Sequence, residues 1–323
     1  MNDHRIERFP IADLELEAHR FDGHADGPRL IVLGAVHGNE ICGSVAIRQI
    51  IAAFEGRDLH VTHGHVTFVP VANPLAWKQR RREGERNLNR KLQPTDRPEV
   101  FEDHVANWLC PLLARHDVLL DLHSFHTPGE PFVMLGPDDN DGALEPFSHA
   151  AEERAMARHL GIGRFVDGWL DTYARGVDRR RASEPGADPA YGIGTTEYMR
   201  SQGGYGVTVE CGQHDDPAAI AVARHCILNT LAFLGMIDEP PPPPVRRVQH
   251  LRLFDVVDRV HAGDRFARDW NSFDPVRAGE PIGLRADGTT VAAERDGFIL
   301  FPNPDAGPAR EWFYLAEAVS GAA

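Results

Sequence analysis

A histidine and a glutamate three residues apart, in His37-Gly38-Asn39-Glu40, stand where an apolar run gives way to a segment of helical spacing. At such a turn both side chains can face one point, and imidazole and carboxylate are ligands for a divalent transition metal. Small Gly38 keeps the turn tight and leaves room beside an ion. A catalytic zinc takes three protein donors, often His, His and a carboxylate, and keeps a fourth position for water. His123, in Asp121-Leu122-His123-Ser124, is the best third donor, because it ends another apolar run. In open α/β sheets the ligand crevice lies at that end of the strands. H-x-x-E alone is a weak motif in a chain with 17 histidines. The strand–turn–helix setting and the second strand-terminal histidine make His37, Glu40 and His123 a candidate site for one Zn2+ per chain. The same donors accept other divalent ions.

Glu210 closes a further apolar run, Val207-Thr208-Val209-Glu210. A carboxylate there is expensive unless it is paired, faces a cavity or is protonated. Beside an activated water such a group can take the proton and later hand it to a leaving amine. A structural ion pair is the plainer alternative. Residues 78–90 gather Arg80, Arg81, Arg82, Arg86 and Arg90 in a chain of net charge −14. Guanidinium groups match carboxylates with two parallel hydrogen bonds. Arg200, ten residues before Glu210, is a candidate clamp for a second substrate carboxylate. These arginines point to a small anionic substrate. Of the other histidines, His60, His63 and His65 read as a solvated turn. His126 and His214 lie close enough in sequence to the candidates to stand behind a ligand or at the site mouth, although a structural role is simpler for each.

The positioning elements read as α/β. Apolar runs at 29–36, 65–72, 117–122 and 206–210 are strands, and helical spacing covers 41–54, 98–115 and 215–234. Residues 164–204, rich in Arg, Gly and Asp, read as a long irregular loop region. Five prolines at 240–244 form a stiff spacer. Beyond them, glycines at turn-like spacing separate short β-type runs. The expected division is a catalytic domain over 1–239 and a small β domain over 240–323.

A chain of 323 residues with 42 % hydrophobic and 25 % charged residues can fold as one large and one small domain without disulfides. Its acidity argues against a nucleic-acid partner. No apolar run is long enough to span a membrane. The four cysteines, Cys42, Cys110, Cys211 and Cys226, form no C-x-x-C pair and read as free thiols of a reducing compartment. With a polar stretch at 1–10, a cytoplasmic location is expected. A homo-oligomer is compatible with all of this.

At these residues the sequence resembles the succinylglutamate desuccinylase and aspartoacylase family, whose catalytic domain is similar to that of zinc carboxypeptidases. The resembling motifs run in order: HGNE at 37–40, NP followed by an arginine-rich stretch and LNR at 73–90, DLH at 121–123, and VEC-G at 209–212 with Arg200 upstream. DPVRAGEPIGLRADG at 274–288 and FILFPN at 298–303 resemble the family's capping β domain. The resemblance covers most of the chain from about 29 to 318. It implies a mixed sheet flanked by helices, with zinc on His37, Glu40 and His123. It gives Glu210 the part of general base and acid, and Arg82 that of polarising the scissile carbonyl. Asn89, Arg90 and Arg200 would hold substrate carboxylates. Two departures stand out: Asn87 replaces the family's aspartate, and Thr196 stands where a tyrosine is expected, with Tyr198 two residues on. The activity expected is hydrolysis of an N-succinyl or N-acetyl derivative of an acidic amino acid, or a close analogue. The rivals are a metallo-carboxypeptidase on short peptides and a non-catalytic zinc- or ligand-binding protein.

Overall fold

The computed structural model describes residues 3–180 and 186–319. The chain begins with an antiparallel hairpin, β1 (Asp3–Ile11) and β2 (Leu14–Asp22). On β2, Leu16, Ala18 and Phe21 are buried, while β1 is largely exposed. Next comes β3 (Ala25–Gly34), whose Leu30 to Leu33 are fully buried on both faces, as a parallel strand covered on two sides must be. Helix α1 (Ile41–Glu55) follows and buries Cys42, Ala46, Ile47, Ile50 and Phe54, an i, i+4 stripe. Strand β4 (His63–Val69) lies parallel to β3 on one side. The short helix α2 (Pro74–Gln79) starts on Asn73, whose Oδ1 accepts from Ala76 N at 3.2 Å, with Pro74 in the first turn. Helix α3 (Phe101–Leu113) leads into β5 (Val118–Phe125), parallel to β3 on its other side.

Strand β6 (Phe132–Met134), helix α4 (Ala150–His159) and strand β7 (Arg164–Asp167) follow. Residues 164–204, irregular by composition, are mostly regular among the described positions. They hold β7, helix α5 (Trp169–Arg180), a short 3-10 turn and helix α6 (Thr195–Ser201). In α5 the buried Leu170, Tyr173 and Val177 fall at helical spacing among charged residues, so the pattern is present beneath the Arg and Asp content. Strand β8 (Tyr205–Gln213) pairs with β5 in parallel, and helix α7 (Ala218–Phe233) follows it.

After the proline run, β9 (Gln249–Arg259) pairs in parallel with β7. The remaining strands are β10 (Arg265–Phe266), β11 (Pro275–Val276), β12 (Pro281–Leu284), β13 (Thr290–Ala292), β14 (Gly297–Leu300) and β15 (Arg310–Ala318). A mixed sheet of 12 strands runs β1-β2-β4-β3-β5-β8-β6-β7-β9-β15-β14-β11, and β10, β12 and β13 form a second sheet. The large sheet therefore passes without a break from the residues before the prolines to those after them. One apolar cluster joins Phe125 and Phe132 to Leu251, Leu300 and Tyr314 across that passage. The architecture is the expected mixed sheet with flanking helices. All four cysteines are buried and free. Among the described residues no helix is long and apolar enough to cross a membrane.

Two side chains carry measurable consequences. Trp312 on β15 is fully buried and stacks on Phe266 with ring centroids 4.6 Å apart. Trp312→Ala is expected to cost about 3–5 kcal/mol of unfolding free energy; a loss under about 1 kcal/mol in denaturant titration would show that this core contributes little. Gly38 does not serve to make space beside an ion, as expected from sequence. A Cβ there would lie 2.0 Å from Ala76 C and 2.3 Å from Trp77 N, so its bare Cα lets the turn sit against α2. Gly38→Ala must push His37 and Asn39 away from α2. It is expected to lower thermal stability and weaken divalent-metal binding together; unchanged metal affinity by calorimetry would contradict this.

Candidate active site

The three expected metal donors meet at the C-terminal ends of parallel neighbours. His37 and Glu40 come from the turn between β3 and α1, and His123 from β5, which pairs with β3. All three are buried. One ligand atom from each lies within 4.8 Å of the others. Glu40 is the hub: its Oε1 is 2.9 Å from His37 Nδ1 and its Oε2 is 2.8 Å from His123 Nδ1. The two imidazole rings meet edge to face at 5.0 Å. Both Nδ1 atoms thus face the carboxylate, and both Nε2 atoms face outward onto acceptors.

Those acceptors are residues that sequence reasoning does not single out for this work. His37 Nε2–H donates to Asn87 Oδ1 at 3.0 Å, and His123 Nε2–H donates to Asp121 Oδ2 at 2.9 Å. An acceptor behind a ligating histidine fixes its tautomer and ring orientation. Asn87, the departure from the family's aspartate, keeps this contact with a neutral amide oxygen, which also accepts from Asn89 N at 2.9 Å. Asp121 is held in turn by the Thr195 hydroxyl at 2.5 Å. The strand period carries the signal: Asp121 and His123, two apart on β5, share one face.

Burial and neighbouring charges set the protonation states. For His37, burial comes first and the Arg82 charge second, and together they lower its pKa to about 4. Burial would raise Glu40, but the two histidines outweigh it and hold the carboxyl well below its usual range. Burial would lower His123, yet Asp121 and Glu40 raise it well above the usual imidazole value. A deprotonated carboxylate and a neutral His37 are the forms that bind a metal. The donor set therefore fits a divalent ion with a position left open.

Glu210 lies opposite His123 in the β5–β8 register. Its Oε2 is buried without a hydrogen-bond partner among the described residues. Burial first, and then the charge of Glu40, push its carboxyl up to about 8. An unsatisfied oxygen in such a place points to a partner from outside the chain. Ser124, next to His123, sends its backbone N–H to Glu40 Oε2 at 3.2 Å, and its hydroxyl meets His214 Nδ1 at 2.8 Å. His214 thereby lines the site, while His126 Nε2–H donates to Pro302 O at 2.9 Å.

These groups border a cavity of about 340 Å3. The arginine stretch is shaped by Glu102, a fully buried carboxylate on α3. It accepts from Asn73 Nδ2 at 3.0 Å, Gly84 N at 3.1 Å and Arg86 N at 3.1 Å. Arg82 is half exposed and donates to Glu40 Oε1 at 2.9 Å. Asn89 Oδ1 accepts from Thr195 N at 2.9 Å, which leaves the amide nitrogen as its end for the cavity. Arg90 is buried and lies over the Trp169 ring at 4.6 Å. Trp169 and Tyr314, from α5 and β15, wall the cavity and are not anticipated from sequence.

Arg200 departs from expectation. It borders the cavity, but its guanidinium is the centre of an internal cluster instead of an open clamp. Nε donates to Glu153 Oε2 at 2.9 Å, Nη1 to Glu145 Oε1 at 2.8 Å and Nη2 to Gly206 O at 2.9 Å. Of the two residues at the expected tyrosine, Thr196 lines the cavity, whereas Tyr198 packs against the apolar cluster behind it.

Solved structures share this fold. A crystal structure described as succinylglutamate desuccinylase/aspartoacylase from Rhodobacter sphaeroides superposes with a TM-score of 0.73 at 19% identity, over 98% of this chain and 96% of that one. A product-bound structure of the ectoine utilization protein EutE (DoeB) from Ruegeria pomeroyi gives 0.73 at 19% identity, over 98% and 95%. A succinylglutamate desuccinylase from Vibrio parahaemolyticus gives 0.68 at 16% identity, over 98% and 92%. At these identities the likeness is one of fold. No curated protein matches the sequence. Residues 26–128 match the family described as Succinylglutamate desuccinylase/Aspartoacylase catalytic domain. That stretch, with His37, Glu40, His123 and the arginine segment in it, is the part of the chain that is similar to this family.

Proposed function

We propose that this chain is a zinc-dependent hydrolase that cleaves the amide bond of a small N-acyl amino acid, on a catalytic fold akin to that of zinc carboxypeptidases. The observation that carries the reading is the pairing of three converging donors with the buried, unpartnered Oε2 of Glu210 beside them. When bound by His37, Glu40 and His123, a divalent ion supplies Lewis acidity toward the amide carbonyl and acidifies a water. Glu210 would take a proton from the attacking water as the water oxygen adds to the carbonyl carbon. It then returns the proton to the nitrogen as the C–N bond breaks, giving a carboxylate and a free amine. Its raised pKa suits the return step, and a nearby dication favours the ionised form needed for the first.

Arg82 reaches into the site from a half-exposed position and is placed to meet the carbonyl oxygen as charge develops there. Asn89 and Arg90 are assigned to the α-carboxylate. Stacking on Trp169 holds the Arg90 guanidinium in one orientation. The rival peptidase reading is disfavoured by size: residues 301–314 wall the cavity, and its volume suits a single acylated amino acid.

Two outcomes test the proposal. Glu210→Gln is expected to keep its metal while kcat on N-acyl amino acids falls about 10²–10⁴-fold; full activity in that variant would remove Glu210 from the reaction. Chelation of the protein is expected to abolish turnover, and added Zn2+ to restore it, with His123→Ala unable to recover. Turnover that survives exhaustive chelation, with no metal left by elemental analysis, would contradict the metal assignment.

A further inference from the structure

The cluster around Arg200 bears on which amino-acid side chain the cavity accepts, a question that rests on the deacylase reading. Three carboxylates surround this one guanidinium: Glu145 and Glu153 at the distances given, and Glu197 Oε1 at 3.7 Å. Glu153 engages both oxygens inside the protein, since Oε1 also accepts from Gly136 N at 2.6 Å and Oε2 from Gly206 N at 3.3 Å. Arg200 is thus matched from behind, by Glu153 and Glu145. Burial first, with a smaller push from Glu197 and Glu153, raises Glu145 to about 7 against the opposing pull of Arg200.

Glu197 is the member of the three that lines the cavity. It is also fixed in place: Oε2 accepts from Gly194 N at 2.9 Å, and Oε1 accepts from the Thr196 hydroxyl at 3.2 Å. The rest of the wall does not restore positive charge. Arg90 faces Glu311 at 3.8 Å, and Asp305 stands on the same wall. Apart from Glu210, three carboxylates (Glu197, Asp305 and Glu311) and three arginines (Arg82, Arg90 and Arg200) border the cavity, and Arg200 is already consumed. A second observation points to a ligand: the Tyr314 hydroxyl is buried on this wall with no partner among the described residues. Trp169 lies beside it at 5.5 Å, so two aromatic rings border the space. An acidic side chain entering here would meet Glu197 with no free guanidinium to answer it. A cationic one would find a fixed carboxylate and aromatic faces.

We propose that the substrate is an N-acyl amino acid whose side chain ends in a cationic group such as an ammonium, and that Glu197 selects it over an acidic side chain. This proposal departs from the expectation of an acidic amino acid, which rested on the family resemblance and on the arginines, Arg200 among them.

The test compares Nα-acetylornithine, Nα-acetylglutamine and Nα-acetylglutamate, which have side chains of similar length and differ in charge. For zinc-loaded protein, kcat/KM is expected to fall in that order, with about tenfold or more between first and last. Glu197→Gln is expected to raise KM for the ornithine derivative about tenfold, with kcat little changed and the glutamate derivative unaffected or improved. Thermal unfolding verifies that the variant is folded. Calorimetric binding of the same three compounds to the Glu210→Gln protein makes the test independent of turnover. If none is hydrolysed but the ornithine derivative binds best, the deacylase reading falls and the selectivity stands. Equal or reversed binding, or no measurable binding of any of the three, overturns the inference whatever the hydrolysis assay gives.

Discussion

A buried carboxylate between two imidazoles is costly unless positive charge sits among them. The chain answers that demand at Glu40 in two ways: His123 has a strong preference for its protonated form, and Arg82 donates to Glu40 Oε1. Both are stand-ins that a divalent ion would replace. Around this one constraint the neighbourhood falls into place. Asn87 and Asp121 hold the outer nitrogens of the histidines, Thr195 holds Asp121, and Ser124 N–H holds Glu40 from the strand side. The ends of β3, β5 and β8 must stay in register for this to work, and the double burial of β3 and β5 gives that register its rigidity.

The loop at 80–90 depends on the same centre from a different direction. Glu102 gathers backbone and side-chain donors from beneath it. The result is that Arg82, Asn87, Asn89 and Arg90 all arrive at the site from a single short stretch. The strands after the proline run complete the enclosure: β15 brings Glu311 and Tyr314, and the turn after β14 brings Phe301 and Asn303. The site is therefore assembled from both sides of the proline run, within one continuous sheet.

What is legible in the sequence is what local spacing can encode. His37 and Glu40 share a turn, His123 ends an apolar run, and Glu210 ends another; each sits where the strand pattern puts it. Amphipathic α1 and α3 are equally plain. Legibility fails where a property belongs to distant partners. Nothing near Arg200 in sequence announces Glu145 or Glu153, which lie 55 and 47 residues away, so an arginine bound up internally reads as an open clamp. The hairpin of β1 and β2 escapes a reading of apolar runs because its outer strand is polar and exposed. Helix α5 escapes it because charge content masks the spacing of Leu170, Tyr173 and Val177. Gly38 reads as room for an ion because its real neighbour, Ala76 of α2, lies about 40 residues further on in the chain.

On the proposed reading, His37, Glu40 and His123 hold one divalent ion with their inward-facing atoms. The most direct measurement is a crystal structure of zinc-loaded protein with anomalous data collected above the zinc edge. A single strong peak is expected about 2.0–2.2 Å from His37 Nδ1, His123 Nδ1 and a Glu40 oxygen, with Glu210 beside the open position. A fully occupied peak elsewhere, or none among these three residues in protein shown to contain zinc, would contradict it.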